Sequence, residues 1–297
     1  MLKQFPHFSE FSLSVRGEIE TLSAAYKPYS DFNFVSLYSW DVDRSTAVSV
    51  LNSNLVIRLS DYISGRPIYS ILGKNDIPAS AMTLLESGAK LRLIPEIVVK
   101  RLRQDTRFSI RQDRGAFDYT YLVSELASFA GPKNKRHRNQ ARKFQKSYAD
   151  RIKTATTKTL STPLRNQLNA VVVDWFAKSP NRNRSQNEET AINRLLHKFN
   201  KLGLLLTIVY VDNTVVAFSI NQLLPHGYAI CHFEKARLIH PHIYTHLINQ
   251  TAQVLQKKQI KYLNWEQDLG IPGLRLSKMR YHPRRYLKKY SVNLRHN

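Results

Sequence analysis

The stretch that most limits how this chain can fold lies between Leu204 and Ala236, where LLLTIVYVD, TVVAFSINQLL and YAICHFEKA follow one another. Each is rich in β-branched or aromatic residues and is bounded by turn formers, as strands are. Asp212-Asn213 supplies the first turn and Pro225-His226-Gly227 the second. Such a meander excludes an all-helical fold. Before it, the pattern predicts a strand over Arg151–Leu160, then a helix from Pro163 to Lys178 capped by Thr162. Another helix is expected to start at Ser185, at capping-box spacing from Glu188, and to stop at Gly203. After the meander come a helix over Ile243–Lys258, a strand over Tyr262–Asp268, a short helix over Leu274–Arg280 and a last strand over Tyr286–Leu294. The order β-α-α-β-β-β-α-β-α-β defines an α/β (α+β) layer, a mixed sheet flanked by helices.

The first half is less regular. VSVLNSNLVIRL and PIYSIL read as strands and Ser80–Ser87 as a short helix before Gly88, whereas LRLIPEIVVKRL and RFSIRQD fit either class. Glu125–Tyr148 contains a helix rich in positive charge. At 297 residues, with no Gly/Ser linker, the chain suits two packed domains. They are expected at 1–148 and 149–297.

Forty-five Lys and Arg against 22 Asp and Glu leave a net charge of +23. That surplus favours anionic partners: nucleic acid, phospholipid headgroups or phosphorylated metabolites. One cysteine, Cys231, excludes an internal disulfide and a cysteine-based zinc site. MLKQFPHFSEF lacks the apolar core of a signal peptide, and the apolar run Leu202–Val211 is about half the length that crosses a bilayer. A cytoplasmic protein is expected, with peripheral contact to a membrane allowed.

The cations cluster twice. Gly131–Lys153 holds nine of them against Asp150 alone. Ala141, Phe144 and Tyr148 form an apolar seam at helical spacing, and the cations cover the rest. Lys133, Lys135, Arg136, Arg138, Arg142 and Lys143 are therefore expected to bind phosphates, as in RNA. The tail Arg275–Asn297 carries eight cations and no acid, with Tyr281, Tyr286 and Tyr290 interleaved. Those rings suit either stacking on unpaired bases or inward packing along a strand.

Several segments resemble the phosphatidylglycerol lysyltransferase C-terminal domain family, a tandem GNAT-like group: FNFVSLYSWD, RQDRGAFDYTYLVSELASFAGPKNKRHRNQARKF, TVVAFSINQL with HFEKA, and NWEQDLGIPGLRLSKMRYHP. The resemblance implies two tandem GNAT-like (acyl-CoA N-acyltransferase) domains, the N-terminal one degenerate. It also implies transfer of an activated acyl group, in the best-known members from aminoacyl-tRNA to a lipid headgroup. No permanently bound cofactor is implied; aminoacyl-tRNA, or an acyl-CoA, serves as donor. The expected partners are tRNA, a small-molecule acceptor and an anionic lipid or membrane surface. Acetyl-CoA enzymes of this fold bind pyrophosphate on a glycine-rich turn at a helix start. The matching stretch here, Leu238-Ile239-His240-Pro241-His242-Ile243, has no glycine, and Pro241 has no N–H, which disfavours acetyl-CoA.

Period two along Tyr262–Asp268 places Asn264, Glu266 and Asp268 on one face. Arg275 and Lys278 follow at helical spacing and can reach back across Gly270-Ile271-Pro272-Gly273. Either these groups anchor the last helix by ion pairs, or an acid here takes a proton while a cation steadies phosphate or oxyanion. Asp268, Glu234 and Glu266 are the catalytic candidates, with Asp268 or Glu234 as base. Asn264, Lys235, Arg275, Lys278 and Tyr281 are the substrate-binding candidates. His240, His242 and His246 lack an HExxH pattern and an acid in register, so no metal site is expected. Asp41-Val42-Asp43 reads as a turn and Gly131-Pro132-Lys133 is not a P-loop. The alternative function is a non-catalytic RNA- or anionic-surface-binding protein on the same fold.

Overall fold

A computed structural model describes the backbone of residues 1–178 and 182–295, and side chains except those of 182–186. The expected Ser185 cap lies outside the described side chains. The strands in chain order are β1 (Ser9–Glu10), β2 (Ala47–Leu51), β3 (Asn54–Ser60), β4 (Pro67–Leu72), β5 (Leu91–Pro95), β6 (Phe108–Gln112), β7 (Asp118–Leu122), β8 (Ile152–Thr157), β9 (Leu204–Val211), β10 (Thr214–Leu224), β11 (Tyr228–Ala236), β12 (Tyr262–Asn264), β13 (Arg285–Leu287) and β14 (Lys289–Leu294). Two compact units form. The first comprises Met1–Tyr119, Glu266–Arg280 and Arg285–Asn297; the second comprises Thr120–Trp265 and Tyr281–Arg284.

The first unit holds a mixed sheet ordered β1-β2-β3-β4-β5-β14-β6, in which β4 and β5 run parallel. Asn52 and Ser53, both at positive φ, turn β2 into β3. The ambiguous LRLIPEIVVKRL splits into β5 and the helix Glu96–Leu102, so both readings hold for part of it. The chain's last strand is central here. β14 pairs antiparallel with both β5 and β6, and its Tyr290 and Val292 pack on Ile71, Leu84, Ile94 and Val98. That core packing explains why the C-terminal segment folds with the N-terminal residues.

The second unit holds the expected meander. β9, β10 and β11 pair antiparallel, with Asp212 and Asn213 at positive φ in the first turn. Its sheet continues in the order β7-β12-β11-β10-β9-β8. Ser161, rather than Thr162, caps the helix Thr162–Ala177, and its side chain accepts the N–H of Leu164. The basic helix Lys135–Tyr148 belongs to this second unit, not to the N-terminal half, because Phe144 sits in a core of Val209, Val216, Ala217, Ile243 and Leu247. Burying that ring contributes on the order of 2 kcal/mol.

Both units run strand, two helices, three antiparallel strands, helix, then a strand parallel to the third. This is the GNAT-like order expected of the second half, and the first half repeats it without residue-level similarity. Among the described residues no helix is long and apolar enough to cross a membrane.

Candidate functional site

In the second unit, an open cavity of about 600 Å³ is lined by Lys133, Lys135, Arg136, Gln140, Lys143 and His242, and by no acid. Lys135, Arg136 and Lys143 come from one face of the helix Lys135–Tyr148, and His242 sits at the start of the helix Ile243–Lys257. Neither helix has an acid in its first turn. Cations at a helix N-terminus oppose the macrodipole, so Lys135, Arg136 and Arg138 weaken their own helix unless an anion lies close by. His242 takes the left-handed conformation (φ 67°) immediately before its helix, and the cavity it lines also carries the side chains of Lys133, Lys135, Arg136 and Lys143.

Not every predicted cation serves this cavity. Arg138 turns inward, and its Nη1 donates to the carbonyls of Phe129 (2.5 Å) and Gly131 (3.1 Å). It closes the end of the helix Val123–Ser128, where Phe129 is left-handed. Lys133 also pairs with Glu125 at 2.8 Å. Arg142 is exposed outside the cavity wall.

The aromatic residues of the tail pack inward rather than offering free faces. Tyr281 stacks on His137 (4.2 Å, 16°) and meets Trp265 edge-on. Tyr286 packs edge-on against Tyr119, and Tyr290 is buried. His240 bonds Tyr148 Oη at 2.8 Å, while His246 is buried on Phe144 and burial pushes its imidazole down to about 4.

Glu234 and Lys235 diverge, as neighbours on a strand must. Lys235 is buried against the ring of Trp175 (3.5 Å) and pairs with Glu188 at 2.7 Å, not with Glu234. Burial lowers its pKa against the pull of Glu188. Glu234 stands half-buried opposite Ser219 in the β10–β11 register and accepts its hydroxyl at 3.4 Å. Asn221 donates to the same hydroxyl oxygen at 2.9 Å, and Cys231 Sγ lies 3.6 Å from it. Ser219, Asn221, Cys231 and Glu234 thus form one polar group in an apolar sheet. The parallel ladder between β11 and β12 ends at Ile230 and Asn264, yet β11 continues to Ala236. Asn264 is fully buried at that end.

In the first unit the expected common face of Glu266 and Asp268 with Asn264 is not formed. The strand stops at Asn264, because Glu266 and Leu269 are both left-handed and the chain turns. Glu266 instead accepts Ser36 Oγ at 2.8 Å. Asp268 is fully buried and saturated. Arg275 grips it with two bonds (2.8 and 3.0 Å), Gly270 N–H donates at 2.8 Å, Tyr119 Oη donates, and Arg114 stands at 3.4 Å. Burial would raise its pKa, but the bonds from Arg275, Tyr119 and Gly270 outweigh it and hold the carboxyl below its usual range. Lys278 donates to the Gln267 carbonyl at 2.9 Å. Asp268→Asn is expected to cost about 1–3 kcal/mol, the loss of a charged acceptor at a buried site. Unchanged chemical denaturation would contradict this anchoring role.

Sequence reasoning missed a buried charge cluster in the same unit. Lys289, one of the cations of the basic tail, is fully buried between Asp31 and Asp118.

The family profile described as "Phosphatidylglycerol lysyltransferase, C-terminal" matches residues 91–293. The chain therefore belongs to that transferase family. Among solved structures, it is similar to a conserved protein of unknown function from Bacteroides thetaiotaomicron (26% identity, 97% of this chain and 99% of that one, TM-score 0.84). The C-terminal domain of a putative lysylphosphatidylglycerol synthetase from Agrobacterium fabrum shares the fold at 13% identity, over 96% and 93% of the two chains, with a TM-score of 0.65. L-PGS from Bacillus licheniformis does so at 12% identity, over 96% and 92%, with a TM-score of 0.66. No curated protein matches the chain.

Proposed function

We propose that the chain moves an aminoacyl group from aminoacyl-tRNA to an amine or hydroxyl acceptor, such as a lipid headgroup. The observation that carries this reading is the acid-free cavity where two helix starts and the side chains of Lys133, Lys135, Arg136 and Lys143 converge. Such a site suits the phosphates of a polynucleotide better than a glycine turn shaped for one pyrophosphate. The acceptor's nitrogen or oxygen attacks the ester carbonyl, its proton passes to a base, and the ribose oxygen leaves as a hydroxyl on taking that proton. Glu234 is the base in this reading, because its carboxylate is half-buried and accepts the neutral hydroxyl of Ser219. Asp268 is a positioning residue that fixes Arg275 and Tyr119. No covalent enzyme intermediate is required when donor and acceptor are held together, and Cys231 stays a buried core residue.

Filter binding of tRNA across a salt series tests the cavity. Replacing Lys135, Arg136 and Lys143 by Ala should flatten the slope of log affinity against log salt by about 0.7–0.9 for each phosphate no longer neutralised. An unchanged slope would remove the cavity from RNA binding.

A further inference from the structure

The turn Asp41-Val42-Asp43 carries a cation to the wall of a cavity in the first unit. Asp41 accepts the N–H of Thr46 at 2.9 Å, and Asp43 accepts the N–H of Ser45 at 3.1 Å. The two carboxylates pin a loop in which Arg44 is left-handed (φ 55°), a conformation that costs an arginine energy. That loop borders an open cavity of about 520 Å³, a volume typical of small-molecule sites. The floor is the sheet. Glu10, Ala47, Arg58 and Tyr69 stand opposite one another on β1, β2, β3 and β4, so their side chains share one face. Farther along that face the helices Ile77–Glu86 and Glu96–Leu102 pack on Val56 and Ile71. Around Arg58 the cavity opens instead, and small Ala47 leaves room beside it.

Arg58 is the group that calls for a ligand. It is half-buried, its guanidinium lies over the Phe8 ring at 5.0 Å, and no acid among the described residues pairs with it. A ring face attracts a cation but cannot satisfy its N–H donors. The Phe8 and Tyr69 rings meet edge-on at 6.0 Å and form an apolar wall. Ser45 and Ser60 donate to Asp43 at 2.8 and 2.6 Å. Burial would raise the Asp43 pKa, but these bonds outweigh it and keep the carboxyl below its usual range. The cavity's cations are Arg44 and Arg58, and its acid is Glu10. One negative charge on a ligand balances them, and ionised Asp43 beside the serines disfavours a second. We propose that this face of the first unit binds a small carboxylate with a flat apolar body. The carboxylate sits on Arg58 and Arg44, and the body lies against Phe8 and Tyr69. A guanidinium suits that role because it can hold a carboxylate by two parallel N–H bonds. The site shares no residue with the cavity of Lys135 and Lys143 or with the Glu234 group, so it is independent of the transferase reading.

Calorimetric titration of the full chain with naphthylacetate, and with naphthylethanol as its uncharged counterpart, tests the site. Saturable binding of the acid is expected, about tenfold tighter than that of the alcohol, as a charge-assisted contact gives. Arg58→Met keeps the apolar stem and removes the charge, and is expected to weaken binding of the acid about tenfold. Arg44→Gly is expected to weaken it about threefold, the effect of an exposed charge. Its thermal midpoint should be little changed, because glycine takes the left-handed turn without steric cost. Should Arg58→Met lower the thermal midpoint, Arg44→Gly still separates loss of contact from loss of fold. No saturable heat, equal affinity for acid and alcohol, or an affinity for the acid unchanged in both variants would overturn the proposal. Binding that survives in both and falls when Lys135, Arg136 and Lys143 are replaced would put the acid in the second unit's cavity, and contradicts it too. None of these readouts depends on acyl transfer or on tRNA.

Discussion

Lys289→Met is expected to cost about 3–5 kcal/mol or to prevent folding, because it leaves two carboxylates facing each other without a cation. Total stability of a protein is about 5–15 kcal/mol, so this single change consumes much of the margin. The ammonium lies 2.7 Å from Asp118 and in contact with Asp31, and all three side chains are fully buried. Asp118 also accepts Ser30 N–H at 2.8 Å and Ser30 Oγ at 2.7 Å, whereas Asp31 accepts Tyr62 Oη at 3.0 Å. Burial, together with the charge of Asp118, pushes the Asp31 pKa up despite Lys289. Burial alone would lower that of Lys289, but Asp118 and Asp31 outweigh it and raise it.

The signs follow from linkage. A lysine raised in the folded state gives stability that is full below its unfolded value, about 10.4, and lost as pH climbs through its folded value. An aspartate raised in the folded state works against the fold once pH passes its unfolded value, about 3.9. Asp31→Asn is therefore expected to be far milder than Asp118→Asn, and to reduce the loss of stability that wild type suffers as pH rises above that value. Urea titrations over a pH series check this. Adding Asp31→Asn to Lys289→Met should restore part of the lost stability, and if Lys289→Met fails to fold, soluble expression of the double variant gives the same comparison. Equal damage from the two Asn variants would contradict the assignment.

Glu234→Gln is expected to lower transfer by about 10²- to 10⁴-fold, the usual contribution of a general base, and to leave tRNA binding unchanged. Gln keeps the shape and can still accept from Ser219, so the difference isolates proton acceptance. Single-turnover transfer with radiolabelled donor reads the chemistry, and filter binding reads the donor's affinity. Full activity in Glu234→Gln would move the base elsewhere. Loss of binding alone would make Glu234 a substrate contact.

The sequence made the second unit legible because its meander obeys period two and its turns carry Asp-Asn and Pro-His-Gly. The apolar seam of the basic helix was equally plain, since Ala141 and Phe144 are both buried. What stayed hidden were effects of distant partners. The strand face that period two gives Asp268 is not formed, because the left-handed turns at Glu266 and Leu269 fold it onto Arg275, which is the ion-pair alternative the spacing offered. Arg138 resembled its cationic neighbours, although it satisfies carbonyls at a helix end. Lys289 lies 258 positions from Asp31, as the pairing of β14 with β5 and β6 requires, and no local pattern reports that pairing. Charge counts predict a cation's burial poorly, as fully buried Lys289 shows.

The most direct test is a donor competition. The protein is given acceptor lipid or amine with radiolabelled aminoacyl-tRNA, in parallel with labelled acetyl-CoA, and label reaching the acceptor is counted. Transfer from aminoacyl-tRNA that weakens steeply with salt, and falls when Lys135, Arg136 and Lys143 are replaced, is the expected result. Label arriving from acetyl-CoA and none from aminoacyl-tRNA would contradict the role given to the cationic cavity.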